Sequence, residues 1–396
     1  MQASDDLMAF GTIALLIVIA PYLSRLSRLP VAVIEIILGA LACYYGLFRT
    51  SEVIETVAHI SFLYLMLLAG MEADIRGFGR LGRGFYKRAS AYFLVLYSLT
   101  AAIVAALQLK WIYIAILPVM SLGMVVPLLR EYGKEQIWLN ITVKIGVIGE
   151  LLSIVALVIV QNSYAQEGLE STWHFYKSLI FLALFVLACV FIFRLGRVIF
   201  WWKPSIKLWF MPTNDSYNQD LRFSFMLFFV LIGITTLMDI EDVLGAFMAG
   251  LVVATFFVYK HDMIHKLNDV GFGFFVPLFF IHVGSTLNLG VILSDYRVML
   301  NGTLLAAGML AVRMISSYIA FGAYFKNLKH TTLFSLSGCM PLTLLVAIAK
   351  IGLGFGALGN LEYYSLIIAA IFEGIFFTIL IKIIYFSRGS GDSAYD

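Results

Sequence analysis

The chain has 396 residues, 61% of them hydrophobic and 13% charged, with a mean hydropathy of +0.94. Apolar stretches of about twenty residues, the length a bilayer core demands, recur from end to end, which excludes a soluble globular domain and predicts a polytopic membrane protein. Its net charge of +3 is scattered between apolar runs, so no nucleic-acid partner is expected.

The apolar spans fall near 8–23, 30–48, 57–75, 88–109, 111–129, 137–161, 175–199, 221–238, 242–258, 271–287, 297–325, 331–350 and 362–386. They predict an all-α integral membrane protein with thirteen transmembrane helices. The acidic opening MQASDD lacks the basic region of a signal peptide, so the first span is read as retained. Exits of odd-numbered spans collect basic residues: Arg25 and Arg28, then Arg76 to Arg88, then Arg130 and Lys134, and later Arg197, Lys203, Lys260, Lys326 and Arg388. Even-numbered exits are poor in them and carry acids such as Glu52, Glu55, Asp239 and Asp242. Basic residues resist translocation, which places the N-terminus outside and the C-terminus in the cytoplasm. The stretch WWKPSIKLWF (201–210) suits a cytoplasmic interfacial segment. Cys43, Cys189 and Cys339 lie apart inside apolar runs, with neither a disulfide framework nor metal-ligand spacing.

Comparison of the spans six by six reveals an internal repeat. LAGMEADI (68–75) aligns with HVGSTLNL (282–289), glycine on glycine. The fifth span holds MSLGMVVP (120–127), with Gly123 and Pro127, and the twelfth holds SLSGCMPL (335–342), with Gly338 and Pro341. Glycine loosens a helix and proline removes a backbone donor, so both spans are predicted to break near mid-membrane. The organisation expected is a first repeat over 8–161, a linker helix over 175–199, an inverted second repeat over 221–386 and a short cytoplasmic tail, 387–396. Paired interrupted helices in inverted repeats point to a secondary transporter's binding site.

Five stretches, LPVAVIEIILGALA (29–42), FLYLMLLAGMEADIR (62–76), SLGMVVPLLREYG (121–133), DVLGAFMAGLVVA (242–254) and FVPLFFIHVGSTLNL (275–289), carry a family likeness in their order and spacing. The chain resembles bacterial monovalent cation:proton antiporters of the antiporter-2 type, which share the NhaA-like fold. The resemblance implies a transmembrane exchanger domain over residues 1–386, a homodimer in the inner (plasma) membrane, and a mobile core in which the two broken helices cross beside a carboxylate. The family's Asp-Asp, Asn-Asp or Gln-Asp pair falls on Gly149-Glu150, and its mid-membrane basic residue falls on Arg313 in GMLAVRMISSYIA (308–320). The first broken helix offers Ser121 but no Thr-Asp pair, and the second shows Gly338-Cys339-Met340-Pro341 in place of a polar run. No nucleotide-binding regulatory domain is seen after the last span, so gating by a soluble module would require a separate subunit.

A carboxylate at the bilayer centre costs about 2.5–3.5 kcal/mol and normally faces a partner or a water-filled cavity. Glu150 lies about 20 Å along its span, too deep for easy snorkelling. It is either half of a structural ion pair or the site where a cation and a proton alternate; the second reading is adopted, with Ser121 and Ser153 as nearby hydroxyls. Arg313 does not titrate, so it is a fixed counter-charge or packing glue. Glu373, at the same depth in the thirteenth span as Glu150 in the sixth, is a second ion ligand or, preferred here, the partner of Arg313. Lys144 is rotated about 240° from Glu150 and either lines an access funnel or snorkels to the inner headgroups. Glu35 matches a glutamate of the family's second span, which implies an interhelical bonding role, and His282 is read as a satisfied membrane histidine, with pH sensing as the alternative. His261 and His265, near Asp262 and Asp269, mimic a metal site but are read as a solvated face of an inner loop.

With no phosphate loop, nucleophile elbow or metalloprotease motif, the chain is not read as an enzyme, and neither cofactor nor transition metal is expected. The reading is an electroneutral exchanger of sodium or potassium for protons, in contact with lipid. A sodium-coupled solute symporter of the same architecture and a transport-inactive membrane sensor or scaffold are the alternatives.

Overall fold

The computed structural model describes residues 2–27, 29–48, 50–72, 82–133, 135–164, 218–238, 242–257 and 261–386, with isolated positions 180, 187, 191, 194, 195, 198 and 202. In chain order its helices are α1 (Gln2–Ser27), α2 (Val31–Tyr44), α3 (Glu52–Glu72), α4 (Arg83–Ala106), α5 (Tyr113–Ile116), α6 (Val125–Tyr132), α7 (Ile137–Tyr164), α8 (Gln219–Leu237), α9 (Asp242–Phe256), α10 (His261–Val270), α11 (Val276–Ser285), α12 (Leu289–Ser294), α13 (Tyr296–Phe325), α14 (Leu328–Gly338), α15 (Leu342–Gly354), α16 (Asn360–Phe372) and α17 (Thr378–Phe386). Wider π-type turns, Gly271–Phe275 and Glu373–Phe377, join α10 to α11 and α16 to α17.

The protein is an all-helical membrane protein. Among the described residues nine helices are long and apolar enough to span a bilayer, accompanied by the shorter apolar α2 and α9, and no strand is present. Outward-facing positions are large and apolar, among them Leu15, Val18, Leu94, Phe229, Leu304 and Ile319. Such a surface belongs in hydrocarbon rather than water. Isolated positions apart, the predicted linker span, the 201–210 segment, the basic stretch 73–81 and the tail lie outside the described residues.

The chain divides into two compact units, one of residues 1–80 and 165–286, the other of 81–164 and 287–396. Each unit therefore draws on both halves of the sequence.

In the first unit α2 pairs with α11 and α3 with α9. Pro30 stands just ahead of α2, where its missing N–H costs nothing. Glu52 and Glu55 occupy the first turn of α3, complementing the helix dipole. Both pairs pack backbone to backbone: a Cβ on Gly39 would strike Ile281, one on Gly284 would strike Ile36 and Ala40, one on Gly70 would strike Phe247, and one on Gly250 would strike Leu67. Small residues allow this approach, on which helix association in lipid depends. The 261–270 run corrects the sequence reading. It is not a loop but the helix α10, which continues through the π-turn into α11 and holds the Tyr64 hydroxyl on the Leu267 carbonyl at 3.0 Å. Met263 and Leu267 are buried while Asp262, His265 and Asp269 face outward. Alternating burial at helical spacing is what the composition of this short run concealed.

In the second unit α13 carries a buried stripe of Val298, Gly302, Ala306, Met309, Val312, Arg313, Ser316, Ala320 and Phe321. Arg313 lies on that stripe and so points into the protein. Asp295 caps α13 by accepting from the Arg297 N–H at 2.9 Å, and Asn327 caps α14 through the Lys329 N–H at the same distance. The two predicted interruptions are present: the chain leaves helical geometry over 117–124, between α5 and α6, and over 339–341, between α14 and α15.

Candidate functional site

Pro118, lacking an N–H, stands at the start of the first interruption. Backbone groups released there must find other partners inside the membrane. The Met120 N–H donates to Ser153 Oγ at 3.0 Å, the Leu122 N–H donates to Glu150 Oε2 at 3.3 Å, and the Val119 carbonyl accepts from Arg313 Nη2. Three side chains singled out from sequence are thus the ones that satisfy the break.

Glu150, on α7, is fully buried. Its Oε1 accepts from the Ser121 hydroxyl at 3.4 Å, and among the described residues no ion pair engages it. Ser121 Oγ lies 2.5 Å from Thr343 Oγ1, in the first turn of α15, so the two interruptions meet at this carboxylate. Ser153, one turn beyond Glu150, also donates to the Gly149 carbonyl at 2.7 Å. A Cβ on Gly149 would lie 2.5 Å from Met120 Sδ, and Met120 Cε would be 3.3 Å from one on Gly338. Met120 therefore fills the space a side chain at 149 would need.

Arg313 is held elsewhere in the same unit. Its Nη1 donates to Cys339 Sγ at 3.4 Å, in the second break, and Cys339 Sγ lies 3.7 Å from Glu373 Oε1. Arg313 and Glu373 both contact that thiol, whereas among the described residues no hydrogen bond or ion pair links Arg313 to Glu150. The thiol sits between cation and carboxylate, and Glu373 Oε2 and Arg313 Nε have no hydrogen-bond partner among the described residues.

The remaining predicted residues fall around this centre or away from it. Gly123 packs against Thr343, where a Cβ would meet Cγ2 at 2.7 Å. Pro127 lies in the first turn of α6, Gly338 ends α14, and Pro341 immediately precedes α15. Lys144 is half-buried on α7. Glu35 and His282 are buried in the other compact unit. No group of three or more His, Cys, Asp or Glu side chains suited to a metal occurs among the described residues. Thr343 was missed by the sequence reading; its only signal was a hydroxyl two residues after the proline of an interrupted span.

The site offers a carboxylate, two hydroxyls and the backbone of two interrupted helices, and among the described residues no thiol or imidazole hydrogen-bonds the carboxylate. Hard oxygen donors of this kind suit alkali cations and protons.

Residues 13–387 match the family model described as sodium/hydrogen exchanger, transmembrane. The chain is 26% identical over 410 residues to a putative Na(+)/H(+) antiporter, YjbQ, of Bacillus subtilis, covering 96% of this chain but 64% of that relative. It is 24% identical to the probable Na(+)/H(+) antiporter 3 of Methanocaldococcus jannaschii over 96% of both chains. The solved structure of the sodium proton antiporter MjNhaP1 from Methanocaldococcus jannaschii shares the fold, with a TM-score of 0.65, 14% identity and 96% coverage of each chain.

Proposed function

Since this chain belongs to the sodium/hydrogen exchanger transmembrane family, we propose that it is a secondary antiporter exchanging a monovalent cation for a proton, with Glu150 as the carboxylate both share. The observation that carries this reading is a fully buried glutamate with no ion pair among the described residues, accepting from Ser121 and Leu122 where two interrupted helices meet. An ionised carboxylate in that position is too costly to leave uncompensated. It must hold a proton or a cation, and that obligation couples the two fluxes. Ser121 and Ser153 support the site, Ser121 as a cation ligand and Ser153 by fixing the backbone at Met120.

Arg313 and Glu373, with Cys339 between them, balance one another's charge beside the crossing and leave Glu150 free to alternate. One titrating carboxylate and a permanently charged arginine make the cycle one cation for one proton, hence electroneutral. The reciprocal glycine contacts support two inverted six-helix repeats joined by a linker helix. A repeat that relates the second span to the ninth and the third to the tenth turns the Gly70–Phe247 contact into the Gly284–Ile36 contact, and the Gly39–Ile281 contact into the Gly250–Leu67 contact. Thirteen spans, an outside N-terminus, a cytoplasmic C-terminus and a homodimer in the plasma membrane complete the reading.

The test is pH-gradient dissipation in proteoliposomes with a panel of monovalent cations. Sodium or potassium should dissipate the gradient through the wild-type protein and not through Glu150→Gln. Equal dissipation by the two proteins would remove Glu150 from the mechanism.

A further inference from the structure

We infer that Thr343 is a specificity-determining ligand of this exchange site, supplying with Ser121 a hydroxyl pair that selects a small alkali cation, sodium or lithium, over potassium; the inference rests on the exchange reading of Glu150. Thr343 Oγ1 lies 2.5 Å from Ser121 Oγ, which lies 3.4 Å from Glu150 Oε1. The Ser121 hydroxyl donates to Glu150 Oε1 and therefore takes the proton of Thr343 in turn. Rotation of both hydroxyls then turns their lone pairs toward an arriving ion. Three oxygens that form a hydrogen-bonded chain without the ion become a ligand set with it, and no backbone need move.

The second break frees Thr343 for this task. A threonine inside a helix ordinarily donates to the carbonyl one turn earlier, as Thr100 does to Leu96 and Thr142 to Trp138. One turn before Thr343 stand Cys339 and Met340, which are outside the helix. Its hydroxyl therefore turns to Ser121, and Gly123 leaves the room, since a Cβ there would lie 2.7 Å from Thr343 Cγ2 and 3.0 Å from Oγ1. Thr343, Ser121 and Glu150 are all buried. A compact set of few oxygens that includes a full negative charge has a high field strength, which favours the smaller ion.

The experiment compares wild-type protein, Thr343→Val, Thr343→Ser and Gly123→Ala in proteoliposomes, with apparent KM and maximal rate measured for sodium, lithium and potassium. Thr343→Val should raise the sodium and lithium KM by about tenfold, the scale of one hydrogen bond to a charged group. The potassium KM and the maximal rate should stay within about threefold, because the variant removes a ligand and keeps the shape. Thr343→Ser, which keeps the oxygen, should restore most of the sodium affinity. Gly123→Ala, which pushes the hydroxyl aside, should shift the sodium-to-potassium preference in the same direction as Thr343→Val and stands in for it should that variant fail to fold. A wild-type sodium KM and ion preference in Thr343→Val, or a loss confined to maximal rate and thermal stability, overturns the inference alone. A wild-type protein that exchanges no monovalent cation, or a Glu150→Gln variant that still exchanges, overturns the underlying reading and this inference with it.

Discussion

A buried acid that must never be bare makes two demands on its neighbours: enough donors to hold it, and no permanent cation to satisfy it. Glu150 meets both, with Ser121 and the Leu122 N–H as donors and its arginine engaged elsewhere. On the proposed reading proton and cation compete for the same oxygens, so acid should weaken cation binding. While the carboxyl is mostly protonated, the apparent KM for sodium should rise about tenfold for each pH unit downward, and a KM independent of pH in that range would contradict the competition. A second expectation concerns Gly149 and Met120. Gly149→Asn alone places its Cβ against the Met120 thioether and should destabilise the protein by about 1–3 kcal/mol. Combined with Met120→Ala, the same substitution should cost markedly less, and thermal unfolding of both variants in detergent reveals whether the pair is coupled. Glu150, Arg313 and Glu373 were legible in the sequence because a charge in an apolar span always demands explanation. Thr343 and Met120 were not, since a threonine or methionine in such a span reads as packing until a neighbour's position is known.

The interruptions assign the polar side chains of the site their work. Each N–H or carbonyl that leaves a helix in lipid needs a partner, and Ser153, Glu150 and Arg313 supply them at the first break. Gly123, Pro127, Gly338 and Pro341 announced two broken spans. Pro118, which stands where the first break begins, has no counterpart in the twelfth span, so the repeat does not point to it. The α10 helix was misread for a related reason: five charged or imidazole side chains in a ten-residue run looked like a loop, while burial of Met263 and Leu267, one turn apart, marks the inner face of a helix. Among the regular elements the helix pairs of the first unit make the sharpest prediction. Gly284→Val would drive a side chain into the Ile36 and Ala40 backbone, which cannot yield as a side chain can. A loss of about 3 kcal/mol, at the upper end of overpacking, is expected, seen as a lower melting temperature in detergent. An unchanged melting temperature would mean that α2 and α11 are not in contact at that residue.

At the scale of the molecule, two compact units each built from both halves of the chain could not be read from linear order. The sequence divides at the linker, whereas packing groups α1–α3 with α8–α11 and α4–α7 with α12–α17. Alternation of a group that carries either a proton or a monovalent cation moves no net charge. A cycle that moved one would feel about 2.3 kcal/mol for each 100 mV, so exchange rates measured under an imposed potential should stay level for this protein. The shared carboxylate itself is tested most directly without transport, by adding sodium to purified protein in weak buffer at a pH where the carboxyl is protonated and counting protons set free. Wild-type protein should release close to one proton for each sodium bound and Glu150→Gln none; sodium binding without proton release, or release that persists in Glu150→Gln, would show that the two ions do not compete for this side chain.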